Sequence, residues 1–195
     1  LRESFYHSND GAVYVGMHAW VIDILLQSLY AQTQKQCAGG GELALIAVGG
    51  YGRGEMAPFS DIDIMFLMPK KATETHTKFI EFMLYILWDL GLKIGHSTRS
   101  IAESIDAAND DQTVLTSLLE MRHVAGDDSM WVKLSRAVQR KIVKQKPLAY
   151  VEEKLGERDL RHKRFGDTRY VVEPNVKDGK GGLRDLHSLF WITKY

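Results

Sequence analysis

One stretch of this chain limits its fold more than any other. A short apolar run, Leu43-Ala44-Leu45-Ile46-Ala47-Val48, ends directly on Gly49-Gly50. A glycine-rich loop broken by Pro58 follows, and then Ser60-Asp61-Ile62-Asp63 opens a second apolar run that stops at Pro69. Runs of this length bounded by glycine and proline suit buried strands. Strand side chains alternate faces, so Asp61 and Asp63 point one way while Ile62 and Ile64 point into a core. A strand–loop–strand unit here excludes two phosphate-binding architectures. No Gly-Lys-Ser/Thr ending follows the loop, as a P-loop requires. No G-x-G-x-x-G leads into a helix, as a doubly wound dinucleotide fold requires.

Around this unit the periodicity turns helical. Residues 13–33 carry Val13, Met17, Trp20, Ile24, Leu25 and Leu29 at helical spacing, closed by the loop Ala38-Gly39-Gly40-Gly41. A second amphipathic helix spans 73–90, with Phe79, Phe82, Met83, Ile86, Leu87 and Leu90 on one stripe and Gly91 at its end. Leu92–Arg99 reads as a third strand. Ser100, with Glu103 three residues on, caps a helix over 101–108. Helices are expected over 111–124 and 128–144, separated by Gly126, and another from Pro147 to Phe165. An irregular stretch over 170–182 precedes a last helical pattern from Leu183. The order α-β-β-α-β then helices predicts an α+β fold: a small mixed sheet covered by helices with a helical C-terminal extension. The division expected is 1–110 for the core and 111–195 for the extension.

Composition narrows the classes. Lys+Arg and Asp+Glu both number 25, so the net charge is zero, and no general field draws the chain to nucleic acid or a membrane surface. A polynucleotide-processing role is therefore disfavoured. Apolar residues make up 45% and charged residues 26%, a soluble globular balance. No apolar run approaches the roughly 20 residues of a bilayer span. Cys37 is the single cysteine, which fits a reducing, cytoplasmic compartment. The chain starts without Met and stops inside an uncapped apolar pattern at Tyr195, as expected of a piece of a longer protein.

The residues of the loop admit two readings each. Asp61 and Asp63 repel one another unless a cation compensates, and hard cations such as Mg²⁺ take oxygen ligands from carboxylates and phosphates. Asp-x-Asp is also a common solvated strand edge. Gly49 and Gly50 let backbone N–H groups approach phosphate oxygens, Ser60 offers a hydroxyl, and Arg53 a planar donor fork. The same loop is alternatively a plain glycine turn with Arg53 paired to Glu55. Downstream, Lys177, Lys180 and Arg184 sit in a second glycine-rich loop that either meets a triphosphate or a target protein, or simply turns the chain into its last helix. The cluster Arg158, Arg161, His162, Lys163 and Arg164 is either a ligand surface or a solvated helix face balanced by Glu152, Glu153, Glu157 and Asp159. Trp88 and Trp131 are expected in the core, and Met56, Met65 and Met68 in packing.

The spelling Gly49-Gly50-Tyr51-Gly52-Arg53-Gly54-Glu55-Met56, Pro58, Ser60-Asp61-Ile62-Asp63 resembles the polymerase β nucleotidyltransferase superfamily and, more closely, its bacterial PII uridylyltransferase/uridylyl-removing branch. The block Lys177-Asp178-Gly179-Lys180-Gly181-Gly182-Leu183-Arg184-Asp185 is similar to a segment of those enzymes and of glutamine synthetase adenylyltransferases. The resemblance covers about residues 43–195. It implies a polymerase β-like fold that moves UMP from UTP to a tyrosine of a PII-type protein in nitrogen regulation. Asp61 and Asp63 would be the catalytic metal ligands for Mg²⁺. Gly49, Gly50, Arg53 and Ser60, with Lys177 and Arg184, would bind nucleotide. An adenylyltransferase acting on another protein and a non-catalytic nucleotide- or partner-binding module are the alternatives. The superfamily's third carboxylate has no counterpart on Leu92–Arg99, which offers His96, Ser97 and Arg99 instead. The family's HD-type and ACT domains are not expected within these residues.

Overall fold

The computed structural model describes residues 10–37, 40–144, 147–168, 170 and 172–195. Part of the expected loop at Ala38-Gly39 lies outside them. The chain forms two compact units, divided between Gln139 and Arg140.

The first unit opens with α1 (Gly11–Gln36), started by Asp10, whose carboxylate accepts from the Ala12 and Val13 N–H groups at 2.9 and 3.3 Å. Then come β1 (Ala44–Ala47), a single helical turn α2 (Gly49–Gly52), β2 (Ile62–Met68), α3 (Glu74–Asp89) and β3 (Ile94–Ser100). They are followed by α4 (Ile101–Asp110), α5 (Gln112–Leu119), β4 (Arg122–Gly126) and α6 (Asp128–Lys144), within which the division falls. The expected cap on α4 is present: Glu103 N–H donates to Ser100 Oγ, and the Glu103 carboxylate accepts from Ser100 N–H at 2.7 Å.

The sheet is mixed, in the order β3-β2-β1-β4. β1 runs antiparallel to both neighbours, and β2 parallel to β3. Three expectations need correction. Residues 111–124 are not one helix: α5 stops at Leu119 and residues 122–126 form the edge strand β4. The first unit therefore runs past residue 110, because β4 completes the sheet. Gly49–Gly52, expected as loop, close a helical turn through Gly52 N–H to Val48 O and Arg53 N–H to Gly49 O.

Leu45, Ala47, Ile64 and Phe66 face α1 and α3, where Ile22, Leu26, Tyr30, Phe79, Met83 and Leu87 build the main core. The opposite face, carrying Met65, meets α4, whose Ser104 hydroxyl lies 3.8 Å from Met65 Sδ. Met56 and Met65 are buried as expected; Trp88, expected in the core, is 46% exposed. Contrary to the expectation that no segment approaches a span, α1 is long and apolar enough by length and composition to cross a membrane. In this fold its Ile22–Leu26–Tyr30 face is buried against the sheet.

The second unit is built on α7 (Pro147–Arg164) and α8 (Leu183–Lys194), joined by a glycine-rich loop. Lys154 is buried between the Tyr150 and Trp191 rings, its Nζ 2.8 Å from Glu157. Tyr150 stacks on Tyr195 with ring centres 4.0 Å apart.

Candidate active site

The antiparallel β1–β2 pair brings the end of β1 and the start of β2 to one edge of the sheet. Parallel pairing places the start of β3 beside them: Asp63 is in register with Gly95. This edge gathers Gly49, Gly50, Asp63 and Gly95. Asp61 is exposed, immediately before the first residue of β2, and Ser60 is exposed before it.

The Asp63 carboxylate lies in a cradle of two glycines. A Cβ on Gly49 would stand 3.2 Å from Asp63 Oδ2, and one on Gly95 only 2.3 Å from Oδ1. Gly49 also has φ +59, a conformation side chains rarely adopt. Any larger residue at either position would press on this carboxylate. Gly95 was not singled out from the sequence; only the strand register reveals its part.

Val48 N–H donates to Asp63 O at 3.0 Å, tying the loop's start to β2. Gly54 N–H donates to Tyr51 O, and Glu55 N–H to Gly50 O, both at 3.0 Å. Gly52 is wedged against backbone: a Cβ there would fall 2.2 Å from Glu120 O.

Two ionic contacts hold the loop from below. Arg53 Nε donates to Glu55 Oε2 at 2.8 Å, and Nη1 to the buried Glu120. The pairing with Glu55 is the local alternative noted above; Glu120 comes from the end of α5, 67 residues away. Burial works to lower the Arg53 pKa, but its two carboxylate partners raise it further than burial lowers it. Its Nη2 reaches toward Gly50, 3.6 Å from where a Cβ would stand. The buried Tyr51 donates its hydroxyl to Asp23 of α1 at 2.6 Å. Arg122, at the start of β4, grips the same carboxylate with Nη1 at 2.8 Å and Nη2 at 3.0 Å. Nη2 also reaches Tyr51 O, and the guanidinium lies 5.3 Å from the Tyr51 ring centre. Burial first, and then the bond to Asp23, push the Tyr51 phenol well above its ordinary range. Asp23, Glu120 and Arg122 carried no local signal in the sequence, because each acts across a long separation.

His96 is in register with Ile64, on the face opposite Asp63, and packs edge-on to Trp88 at 5.9 Å. Among the described residues no three His, Cys, Asp or Glu side chains form a metal-binding group. The residues present still fit a hard divalent ion: two carboxylates one residue apart at a sheet edge, one of them in a cradle with no side chains. Phosphate oxygens and water would complete its shell.

Lys177 and Arg184 belong to the second unit. There the Asn175 side chain accepts from Lys177 and Asp178 N–H, and Leu183 N–H bonds back to Val176 O. The Lys177 side chain is exposed, while Arg184 lies 3.8 Å from Asp178 and over the Trp191 ring. The basic cluster on α7 is partly inward. Arg161 and His162 both bind Asp185, at 2.6 and 2.9 Å, and Gly181 N–H completes that carboxylate at 2.7 Å. Burial works to raise the Asp185 pKa, but these partners outweigh it and hold the carboxyl below its ordinary range.

A four-stranded mixed sheet with a glycine turn and paired carboxylates at one edge defines a nucleotidyltransferase domain, and the sequence matches the nucleotidyltransferase domain family over residues 35–119. Residues 149–195 match GlnD PII-uridylyltransferase. The chain is 54% identical over 156 residues to the bifunctional uridylyltransferase/uridylyl-removing enzyme of Rhodospirillum rubrum, covering 80% of this chain and 17% of that one. The corresponding figures are 56%, 80% and 17% for the enzyme of Novosphingobium aromaticivorans, and 48%, 90% and 19% for that of a Bradyrhizobium strain. Over 80–90% of its own length the chain is thus similar to bifunctional uridylyltransferase/uridylyl-removing enzymes, and it spans less than a fifth of the length of these relatives. A toxin–antitoxin crystal structure with AMP-PNP overlays on 72% of this chain and 95% of its own at TM-score 0.35 and 11% identity, a remote likeness.

Proposed function

We propose that the first unit transfers UMP from UTP to a tyrosine hydroxyl of a PII-type regulatory protein. The observation carrying this reading is the Asp63 carboxylate, cradled by Gly49 and Gly95 beside the exposed Asp61. Asp61 and Asp63 hold a divalent cation, for which Mg²⁺ has the right hardness and affinity for phosphate. That ion, when bound, supplies charge stabilisation to the phosphates. Gly49 and Gly50 backbone N–H groups and the Ser60 hydroxyl receive the triphosphate, and the Nη2 side of Arg53 offsets its charge over Gly50. The tyrosine oxygen forms a bond to the α-phosphorus, the α–β bridging bond breaks, pyrophosphate leaves and the phenolic proton passes to solvent. Such a reaction rests mainly on positioning and on fixed charge. A cytoplasmic setting follows from UTP as donor.

The test is titration of UTP with Mg²⁺, followed by transfer of labelled UMP to a PII-type acceptor. Wild-type protein should gain thermal stability from UTP, and Asp61→Asn and Asp63→Asn should lose transfer while keeping their fold. Equal use of ATP would convert the reading to adenylyl transfer. Unchanged transfer in both Asn variants would overturn it.

A further inference from the structure

We propose that Asp23 and Arg122 are positioning residues of the transfer site, acting through Tyr51 on the Gly49–Gly50 turn. The proposal rests on the nucleotidyltransferase reading and identifies what fixes that site's geometry. The turn that presents Gly49 and Gly50 is four residues long and three of the four are glycine, so its own backbone bonds cannot make it rigid. Something outside must fix it. Tyr51 is the one large side chain the turn plants in the protein, 1% exposed. Its hydroxyl ends on Asp23, and Arg122 holds that carboxylate with two parallel donors while also binding the Tyr51 carbonyl. Side chain and backbone of one residue are thus gripped by a single bidentate pair.

The three members come from α1, the turn and the first residue of β4, and Arg122 pairs in register with Ala47, the last residue of β1. Errors in the position of Tyr51 therefore pass to Gly49 and Gly50, and from Gly49 to the Asp63 carboxylate 3.2 Å from its Cβ position. None of Asp23, Tyr51 and Arg122 is assigned to touch the nucleotide. Supporting shells of this kind around a metal site typically alter activity by about 10–100-fold.

The experiment compares Tyr51→Phe, Asp23→Asn and Arg122→Lys with wild type by steady-state transfer, by thermal unfolding and by amide exchange at residues 49–55. Asp23→Asn should lower kcat/KM by about tenfold or more, with a raised KM for UTP and an unchanged KM for the acceptor protein. Loss of folded protein alone lowers kcat and leaves both constants where they were. Arg122→Lys keeps the charge without the fork and should fall between Asp23→Asn and wild type. The amides of Gly52, Arg53, Gly54 and Glu55 should exchange about tenfold faster in Asp23→Asn, a readout independent of any transfer activity. Unchanged exchange there overturns the proposal whether or not the protein transfers UMP. So does an unchanged KM for UTP in all three variants of an active protein. Absence of UTP binding in wild type, with faster loop exchange in Asp23→Asn, would instead refute the transfer reading and leave the positioning network standing.

Discussion

Replacing Gly95 by Ala isolates the part played by the Asp63 carboxylate. The added Cβ would stand 2.3 Å from Oδ1, so the carboxylate must retreat by about 1 Å to reach ordinary contact. What it meets is the end of a side chain and not backbone, so rotation of Asp63 relieves the clash. An off-rotamer side chain costs about 0.5–1.5 kcal/mol, while Ala in place of a strand Gly returns about 0.5–1 kcal/mol. These terms nearly cancel, and the melting temperature should stay within about 4 °C of wild type. Catalysis does not share that tolerance. Misplacing a reacting group by about 1 Å lowers rates by about 100-fold, equivalent to about 2.7 kcal/mol of barrier. The assay pairs calorimetry with UMP transfer across a Mg²⁺ titration. A variant that is stable but about 100-fold slower, and needs more Mg²⁺, is the expected result. Full transfer with unchanged Mg²⁺ dependence refutes the claim that Asp63 works from this cradle, and a collapse of stability refutes the claim that the carboxylate is what yields.

Gly52→Ala should behave in the opposite way: its Cβ would fall 2.2 Å from Glu120 O and 3.0 Å from Ala47 O, both backbone, and urea unfolding should show a loss of about 1–3 kcal/mol or more. Ser100→Ala removes the cap on α4 and should lower stability by about 1 kcal/mol in the same assay, with transfer per folded molecule unchanged. Asp185 is held below its ordinary pKa when folded, so its contribution is present above the unfolded value near about 3.9 and is lost as pH falls through the folded one. Asp185→Asn should therefore lower the urea midpoint at pH 7 and flatten its fall below about pH 4; an acid limb as steep as wild type would show that this carboxylate is not involved.

Much of the sheet edge was legible because its signals are local. Alternation around Asp61–Ile64 put one face into the core, and Ser100 with Glu103 announced α4 from a three-residue spacing. β4 was hidden because it is five residues long and Val124 is its single large apolar side chain, too few to show an alternation; pairing with β1 decides the matter, and that partner is some 80 residues away. Arg53 shows both limits at once. Glu55, two positions on, was visible as a partner, whereas Glu120 was not. By sequence the cluster on α7 is either solvated or ligand-facing, since nothing in that helix reveals that Asp185 waits for Arg161 and His162 at the head of α8.

The place of β4 in the sheet has a consequence for how the domain is made. β1 is the central antiparallel strand, fully buried, and one of its edges is covered by residues 122–126 alone. During synthesis β1, β2, α3 and β3 all emerge before that strand exists, so the nascent sheet carries an open hydrophobic edge for more than fifty residues of elongation. Closure by β4 ends that exposure, and the same strand delivers Arg122 to Asp23 and Tyr51. Completion of the sheet and immobilisation of the glycine turn are therefore one folding event, and a nascent chain that has all of its carboxylates still lacks a formed site until β4 docks.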